Sequence, residues 1–175
     1  MGYPRLFLLV EGTDDQRFFE KIIKPKLVGK YNYVHIWPWA ENEKKVDSFI
    51  HCINAMNADY FFVVDINSSP CVTGKKQKIK NKHTNIDEGR IIVVVKEIES
   101  WYLAGLDVNK ARRLGIRNFT FSKTDGINKE EFNRLIPTKK FGSRIYFLLE
   151  ILKFFSADIA IKKNESFKYF IEKCS

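Results

Sequence analysis

The sequence has few of the residues that stabilise disulfide-bonded or zinc-bound domains. Its only cysteines, Cys52, Cys71 and Cys174, lie far apart and form no Cys-x-x-Cys pair. An odd and scattered set of cysteines predicts neither a disulfide framework nor a zinc site. Carboxylates are also in the minority, with 21 Asp and Glu against 30 Lys and Arg, which gives a formal net charge of +9. A chain this basic favours a polyanionic ligand, although an ordinary lysine-rich surface would have the same composition.

Long apolar runs are missing as well. No stretch approaches the roughly 20 apolar residues that cross a bilayer, and an apolar run begins at Leu6 with no signal peptide before it. We therefore expect a cytoplasmic protein without a membrane span. Gly74-Lys75 lacks the surrounding G-x-x-x-x-G-K-[ST] pattern, which excludes a phosphate loop of the P-loop type.

The residues that are present predict a well-packed domain. Hydrophobic residues make up 45% of the 175, and aromatic residues 14%, which is ample for a core. The composition becomes polar after Gly115 and then helical in pattern. We predict a core over residues 1–115 and a helical C-terminal extension over residues 116–175, packed on that core.

Three apolar runs each lead into carboxylates. Leu6–Val10 leads into Glu11, Tyr60–Val64 into Asp65, and Ile91–Val95 into Glu97 and Glu99. Continuous β-branched and aromatic runs are typical of strands buried on both faces of a parallel sheet. An alternating run, Tyr33–Trp37, favours an exposed edge strand. The pattern predicts an α/β fold of about four mainly parallel strands with helices on both faces.

Parallel strands end at one edge of a sheet, so these acids should converge there. Clustered carboxylates need a cation or a raised pKa, and a hard divalent ion with oxygen ligands meets that need. We therefore predict a Mg²⁺-type site that contains Glu11, Asp65, Glu97 and Glu99. Asp15 lies four residues after Glu11 and is a further candidate ligand. Asn67 has the i, i+2 spacing that would point its side chain the same way as Asp65 in extended chain.

Helix boundaries can be predicted from caps and proline. Thr13-Asp14-Asp15-Gln16 predicts a capping box with Thr13 as N-cap, and the helix should stop near Lys24-Pro25. Apolar spacing predicts further helices, and Asp107 is the expected N-cap of one of them. The predicted ranges are 43–57, a short helix from about residue 100, 107–114, 129–136, 144–155 and 165–173. Residues 144–155 are apolar almost all round, which indicates burial against the sheet or a partner, and makes a homodimer or protein-partner interface a reasonable expectation.

Residues 71–83 form a basic run with five lysines and no acid. These lysines cannot all occupy one helical face, so the run is either a solvated helix or a loop. Because it directly follows the Asp65 turn, it is also a candidate surface for steering nucleic-acid phosphates. The lysines concerned are Lys75, Lys76, Lys78, Lys80 and Lys82.

The order of these motifs resembles a TOPRIM domain. The resemblance rests on V-E-G-x-x-D at Val10–Asp15, D-x-N at Asp65–Asn67, and the acid pair Glu97 and Glu99. It covers roughly residues 5–107. The TOPRIM domains of the overcoming-lysogenization-defect (OLD) nucleases are the most similar, and Glu97–Ala104 also resembles small stand-alone TOPRIM-like bacterial proteins.

The resemblance implies a Rossmann-like sheet, bound Mg²⁺ or Mn²⁺, and phosphodiester chemistry. It implies that Glu11 is a metal-associated acid or base, and that Asp65 is the central ligand. Asp15, Glu97 and Glu99 would complete one or two ion positions. Asn67 stands where the family usually has a second Asp, which puts the second ion position in doubt. A downstream lysine would neutralise the transition state, and the candidates are Lys139, Lys140 and Lys163.

Two functions of different classes follow. The first is metal-dependent hydrolysis of DNA or RNA by a TOPRIM-type nuclease, in the setting of phage or mobile-element defence. The second is a catalytically weak TOPRIM-like module that binds nucleic acid or a protein. A phosphoacceptor receiver domain would need paired acids after the first strand, where Glu11-Gly12 stands, and a Lys-Pro after a last strand, and neither is found.

Overall fold

The computed structural model describes residues 3–117 and 119–174, and it divides into two compact units, residues 1–94 and 95–175. This division falls earlier in the chain than residue 115, where the change in composition suggested a boundary. It comes directly after the last strand of the sheet, so the helices that follow that strand belong to the second unit.

The first unit contains a four-stranded, all-parallel sheet. Its strands are β1 (Arg5–Val10), β2 (Tyr33–Pro38), β3 (Asp59–Asp65) and β4 (Ile91–Val94), in the order β2-β1-β3-β4. The three apolar runs form β1, β3 and β4 and are buried almost throughout, while β2 lies at an edge and is only partly buried. The predicted α/β class and parallel sheet are confirmed, and the arrangement is consistent with a Rossmann-like fold.

The strand order places a topological switch point between β1 and β3. From β1 the chain moves outward to β2, then returns past β1 to β3 and continues in the opposite direction to β4. In open α/β sheets, ligands bind outside the carboxyl ends of the strands at such a reversal. The residues that follow β1 and β3 are therefore the ones that topology favours for a site.

Helices connect the strands of the first unit. They are α1 (Thr13–Phe18), a π-helical turn (Phe19–Ile23), α2 (Lys24–Leu27), a 3₁₀ helix (Ala40–Lys45), α3 (Val46–Ala55), α4 (Val72–Lys82) and a 3₁₀ turn (Glu88–Arg90). Alternate strand residues face α3 and α4, as the period of two in a strand requires. The core on that face includes Phe7, Leu9, Val46, Ile50, Ile53, Phe62, Val64, Ile79, Ile91 and Val93.

Two predicted details of the first helical region are wrong. The N-cap is Gly12 and not Thr13, so the helix starts one residue earlier in register than the capping box suggested. The helical path also does not stop near Lys24-Pro25 but continues to Leu27. A π-helical turn directly precedes this segment, and Pro25 lies in the first turn of α2, where the fixed φ of proline is compatible with a helix.

The second unit is helical. Its helices are α5 (Glu99–Ala104), α6 (Val108–Leu114), α7 (Lys129–Arg134), α8 (Arg144–Phe154), α9 (Ala157–Lys163) and α10 (Glu165–Cys174). The structure confirms a short helix near Ser100 and the N-cap role of Asp107, whose Oδ1 accepts a hydrogen bond from Lys110 N at 2.8 Å. Helix α9 is not among the helices predicted from the sequence.

Helix α5 lies at the centre of the second unit and contacts α7, α8 and α9. Trp101 is fully buried, and its ring lies 5.2 Å from that of Phe167. Its Nε1 donates to Ser166 Oγ at 2.8 Å, and Ser166 Oγ donates in turn to Asn164 Oδ1 at 2.8 Å. Since Asn164 is itself fully buried, these bonds satisfy polar groups that would otherwise destabilise the core.

Helix α8 has two different apolar faces. Phe147 and Ile151 are fully buried, as the prediction of burial required, but Ile145 and Tyr146 on the other side are 48% and 51% exposed. Only part of the apolar surface of α8 is therefore covered within the chain.

None of the helices in the described residues has the length and apolar character of a membrane span.

Candidate functional site

Glu11 and Asp65 lie together at the switch point. Glu11 is the first residue after β1, and Asp65 is the last residue of β3, the neighbouring strand. The backbone N–H of Asp65 donates a hydrogen bond to Glu11 Oε2 at 3.0 Å. Both residues are partly exposed, so a ligand can reach them. Two of the predicted site acids are thus brought together by the parallel register of the central strands.

Asp15 stabilises the start of α1. Its Oδ2 accepts a hydrogen bond from the backbone N–H of Gly12 at 3.2 Å, and the residue is only 6% exposed. A carboxylate at this place also interacts favourably with the positive end of the helix dipole. The contact gives Asp15 a structural role in the turn that follows Glu11, and its role as a metal ligand stays a prediction.

Asn67 does not continue the extended chain that was assumed for it. Strand β3 ends at Asp65, and Asn67 has a left-handed backbone with φ of +49° in a turn closed by Ser69 N donating to Ile66 O at 3.1 Å. The prediction that Asn67 points the same way as Asp65 assumed an extended chain through both residues, and that assumption is wrong. Asn adopts this conformation more readily than most residues, which explains an amide here without reference to a metal.

Lys75 is a buried cation close to the two acids. It lies in the first turn of α4 and is only 6% exposed, although it belongs to the basic run that was expected to be solvated. Ile79, four residues later, is the other buried residue of this helix, so the two side chains share one helical face. Because α4 starts at the edge where β3 ends, that face holds Lys75 near Glu11 and Asp65.

The charge of Lys75 is destabilised by burial and stabilised by these neighbours. Loss of solvation is the main cause, and it lowers the pKa of Lys75 below its ordinary value. The negative charges of Glu11 and Asp65 act in the opposite direction and partly offset this effect. The sequence signal that could have identified Lys75 is its spacing from Ile79, the only aliphatic residue between the first and last lysines of the run.

The other lysines of the run are more exposed and have different contacts. Lys78 is exposed, Lys80 donates to Ile86 O at 2.6 Å, and Lys82 forms an ion pair with Glu43. Lys76 is partly exposed. The predicted helical form of the run is confirmed by α4, and its role in nucleic-acid binding stays a prediction.

Glu97 and Glu99 belong to the second unit, where both make structural contacts. The carboxylate of Glu97 accepts a hydrogen bond from the backbone N–H of Lys129, at the start of α7. Glu99 is 3% exposed and forms an ion pair with Arg144. Burial raises the pKa of Glu99, while the charge of Arg144 acts to lower it. Metal binding by either acid stays a prediction.

The backbone between β4 and these acids is strained at Lys96. Its φ is +63°, in the left-handed region that lysine rarely adopts because Cβ approaches a backbone oxygen. Such strain persists only where the surrounding structure imposes it, and it is common near functional sites. Here it marks the point at which the chain leaves the sheet.

The candidate transition-state lysines all lie in the second unit. Lys139 is exposed, and Lys140 donates to Arg113 O at 2.6 Å. Lys163 donates to Leu106 O at 2.7 Å, and burial lowers its pKa. The hydrogen bonds of Lys140 and Lys163 tie separate segments of this unit together, and a catalytic role for any of the three stays a prediction.

The donor atoms at the switch point suit a hard cation with few protein ligands. Within residues 3–117 and 119–174, no three His, Cys, Asp or Glu side chains are grouped so that they could hold a metal ion. Mg²⁺ nevertheless commonly binds through one or two carboxylates and completes its shell with water and ligand phosphates. Glu11 and Asp65 supply two such carboxylates, so the residues present fit that kind of site.

Comparison of the chain with protein-family models, with curated proteins and with solved structures finds no significant match. The resemblance to TOPRIM domains therefore rests on the sequence motifs alone, and the functional argument rests on the geometry of the residues.

Proposed function

We propose that this protein hydrolyses phosphodiester bonds of nucleic acid at the edge formed by Glu11 and Asp65, with Mg²⁺ or Mn²⁺. One observation carries the proposal. Glu11, directly after β1, and Asp65, at the end of the adjacent parallel strand β3, lie together at the topological switch point, near the buried side chain of Lys75. Two carboxylates beside a buried lysine, in a chain with a net charge of +9, suit a substrate that carries phosphate groups.

Glu11, Lys75 and Asp65 can each have a role in hydrolysis. Glu11 is partly exposed and can accept the proton of an attacking water molecule. Lys75 can donate a hydrogen bond to a phosphoryl oxygen as negative charge increases there, and its burial strengthens that interaction. Asp65, with Glu11, would hold the divalent ion, which supplies Lewis-acid stabilisation of the phosphoryl oxygens when bound.

A second function is favoured by Lys75 itself. Its ammonium group already places one positive charge near Glu11 and Asp65, and so answers part of the need for a cation that the clustered acids create. A site balanced in this way can bind nucleic acid or a protein without hydrolysis. The alternative is therefore a TOPRIM-like binding module that has little or no metal-dependent activity.

Calorimetric titration with Mg²⁺ and Mn²⁺ separates the two functions. We expect the wild type to bind the ion and Asp65→Asn to lose at least about tenfold in affinity, because one charged ligand becomes neutral at nearly constant volume. Glu88→Gln is the matched control. Glu88 is an exposed acid of the same unit, but it precedes β4 and so lies towards the opposite edge of the sheet.

The outcomes differ clearly. Ion binding that is weakened by Asp65→Asn and unchanged by Glu88→Gln supports the hydrolytic site. Equal weakening in both variants would mean diffuse attraction to surface acids. If the wild type binds neither Mg²⁺ nor Mn²⁺ measurably, Lys75 is the cation that balances Glu11 and Asp65, and the result favours the binding module.

A further inference from the structure

The second unit contains a pocket rich in positive charge. Its volume is about 1020 Å³, and it is formed by α6, by the residues that follow α6 and by the segment from Arg134 to Lys140. This volume is at the upper end of the range that is usual for small-molecule and cofactor sites. All the described residues that line it belong to the second unit, so the pocket can be considered without reference to Glu11 and Asp65.

Five cationic side chains and no carboxylate line this pocket, among the residues described. The cations are Arg112, Arg117, Arg134, Lys139 and Lys140. All five are exposed. Cations gathered in a concave surface without acids produce a positive potential that concentrates anions. Arginine is particularly suited to phosphate, because its planar guanidinium group can donate two parallel hydrogen bonds to one anion.

Most of the other described residues that line the pocket are apolar, and the exceptions are Gly115, Thr120 and Thr138. Ile116 and Phe119 are almost fully covered, at 4% and 5% exposed, whereas Leu135, Ile136 and Pro137 are partly exposed and offer apolar surface to a ligand. Simple inorganic anions gain nothing from such a surface. A ligand that uses both parts of the pocket must carry phosphate groups together with a flat or apolar portion, as a nucleotide does.

Local hydrogen bonds fix the shape of the pocket before any ligand binds. Gly115 ends α6 with φ of +84°, and Ile116 N donates to Ala111 O at 3.0 Å. On the other side, Lys140 Nζ donates to Arg113 O at 2.6 Å and holds the Pro137 turn against the end of α6. Because the pocket is preformed, a ligand can bind with little loss of conformational entropy in the protein.

We propose that this pocket is a nucleotide-binding site, separate from the acids at the switch point. Arg112, Arg134 and Lys139 hold the phosphate groups, and the base or sugar lies against the partly exposed side chains of Leu135, Ile136 and Pro137. Lys139 and Lys140, which the family resemblance suggests as transition-state lysines, then serve ligand binding and pocket shape. The ligand is either a free nucleotide or the phosphorylated end of a nucleic-acid strand, which present the same chemistry.

The test is calorimetric titration of the full chain with ATP and, separately, with a 5′-phosphorylated tetranucleotide. We expect the variant Arg112→Gln/Arg134→Gln to bind the preferred probe at least about tenfold more weakly, since each hydrogen bond to a charged group contributes substantially. A second variant, Thr138→Glu, adds a negative charge to the exposed lining and should weaken binding in the same direction.

The matched control is Lys162→Gln/Lys173→Gln, which removes two exposed cations of the same unit that lie outside the pocket. It should bind within about twofold of the wild type, because removing distant surface charge changes only the general attraction. Stronger binding of ATP identifies a free nucleotide, and stronger binding of the tetranucleotide identifies a strand end. All the substituted residues are exposed, and a thermal unfolding measurement confirms that the variants fold.

Three results would overturn the proposal. These are equal losses in the pocket and control variants, no binding of either probe below millimolar concentration, and binding of inorganic tripolyphosphate as tight as that of ATP. The last would show that the apolar wall contributes nothing. Glu11→Gln should leave ATP binding unchanged, so failure of this proposal is distinguishable from failure of the proposed hydrolytic function.

Discussion

The two units arrange their charges in opposite ways. In the first, Glu11 and Asp65 lie at adjacent strand ends beside one buried cation, Lys75. In the second, exposed cations that include Arg112 and Arg134 surround an open pocket. Buried charges are held in place by their surroundings, which is what chemistry at a fixed point requires. Exposed charges attract an anion from a distance but orient it less, which suits capture of a ligand.

The acids of the two units also differ in burial. Glu99 is buried in a pair with Arg144 and belongs to the packing of the second unit. Glu11 is partly exposed, and its carboxylate accepts a hydrogen bond from the backbone N–H of Asp65. Loss of the Glu99 pair should therefore cost stability, whereas neutralising Glu11 should cost activity and less stability, because Glu11 offsets only part of the effect of burying Lys75.

The largest expected effect on stability is that of Arg144→Leu. The change leaves the carboxylate of Glu99 buried without its charge partner, and we expect a loss of about 3 kcal/mol in the free energy of unfolding. Urea denaturation measures it. The control is Lys153→Leu, which breaks a pair with Glu150 on the same helix whose lysine side chain is 65% exposed, and it should have a much smaller effect. Similar losses in both variants would mean that the Glu99 pair is no more structural than a surface contact.

Replacement of Lys75 should change how stability depends on pH. The folded-state pKa of Lys75 is lowered, so between that pKa and the ordinary value of 10.5 the unfolded chain binds more protons. Raising the pH through this window should therefore stabilise the wild type relative to Lys75→Met, by at most about 1.4 kcal/mol per pH unit.

The control for Lys75→Met is Lys78→Met, at an exposed position of the same helix. Urea denaturation at several alkaline pH values, below the point of chemical damage, gives the comparison. A Lys78→Met profile that departs from the wild type as much as that of Lys75→Met would argue against the burial of Lys75.

The contribution of Glu99 to stability should change with pH in the opposite direction, and at acidic pH. Burial raises its folded-state pKa above the ordinary value of 4.5, so the folded chain holds its proton more tightly than the unfolded chain. This contribution to stability is fully present below pH 4.5 and is lost as the pH rises through the raised pKa. The stability of the wild type relative to Glu99→Gln should therefore fall over that window. A difference that stays constant with pH would contradict the assigned burial.

The smallest expected effect is that of Lys96→Gly. Glycine adopts a positive φ without steric cost, and the substitution should stabilise the chain by up to about 1 kcal/mol if nothing else depends on this side chain. Asn57→Gly is the control, because Asn57 also has a positive φ, +49°, but asparagine tolerates it better. Thermal unfolding should show the larger increase for Lys96→Gly. A decrease would indicate that the Lys96 side chain makes a stabilising contact.

The sheet and the meeting of Glu11 with Asp65 could be predicted because both follow from a simple rule. Fully apolar runs are buried on both faces, such strands pair in parallel, and the residues that follow them share an edge. The alternation of the second strand also predicted its place at an edge of the sheet, whereas the order of the other three strands was not predicted.

Other features depend on contacts that the sequence pattern does not encode. The burial of Lys75 depends on how α4 packs in the first unit, and a lysine in a basic run gives little sign of it. The left-handed turn at Asn67 and the π-helical turn before Pro25 are local backbone solutions that strand and helix periodicity cannot distinguish. The cationic pocket combines residues from Val108 to Lys140, and their proximity arises only from the packing of the second unit.

Cleavage of end-labelled single-stranded DNA and RNA tests the central claim most directly. The wild type, Glu11→Gln and Glu88→Gln would be compared with Mg²⁺ or Mn²⁺ present. The account predicts metal-dependent cleavage by the wild type and by Glu88→Gln, and a rate at least about 100-fold lower for Glu11→Gln, the loss typical of removing a general base. Cleavage that is unaffected by Glu11→Gln, or absent from a folded wild type that binds the ion, would contradict it.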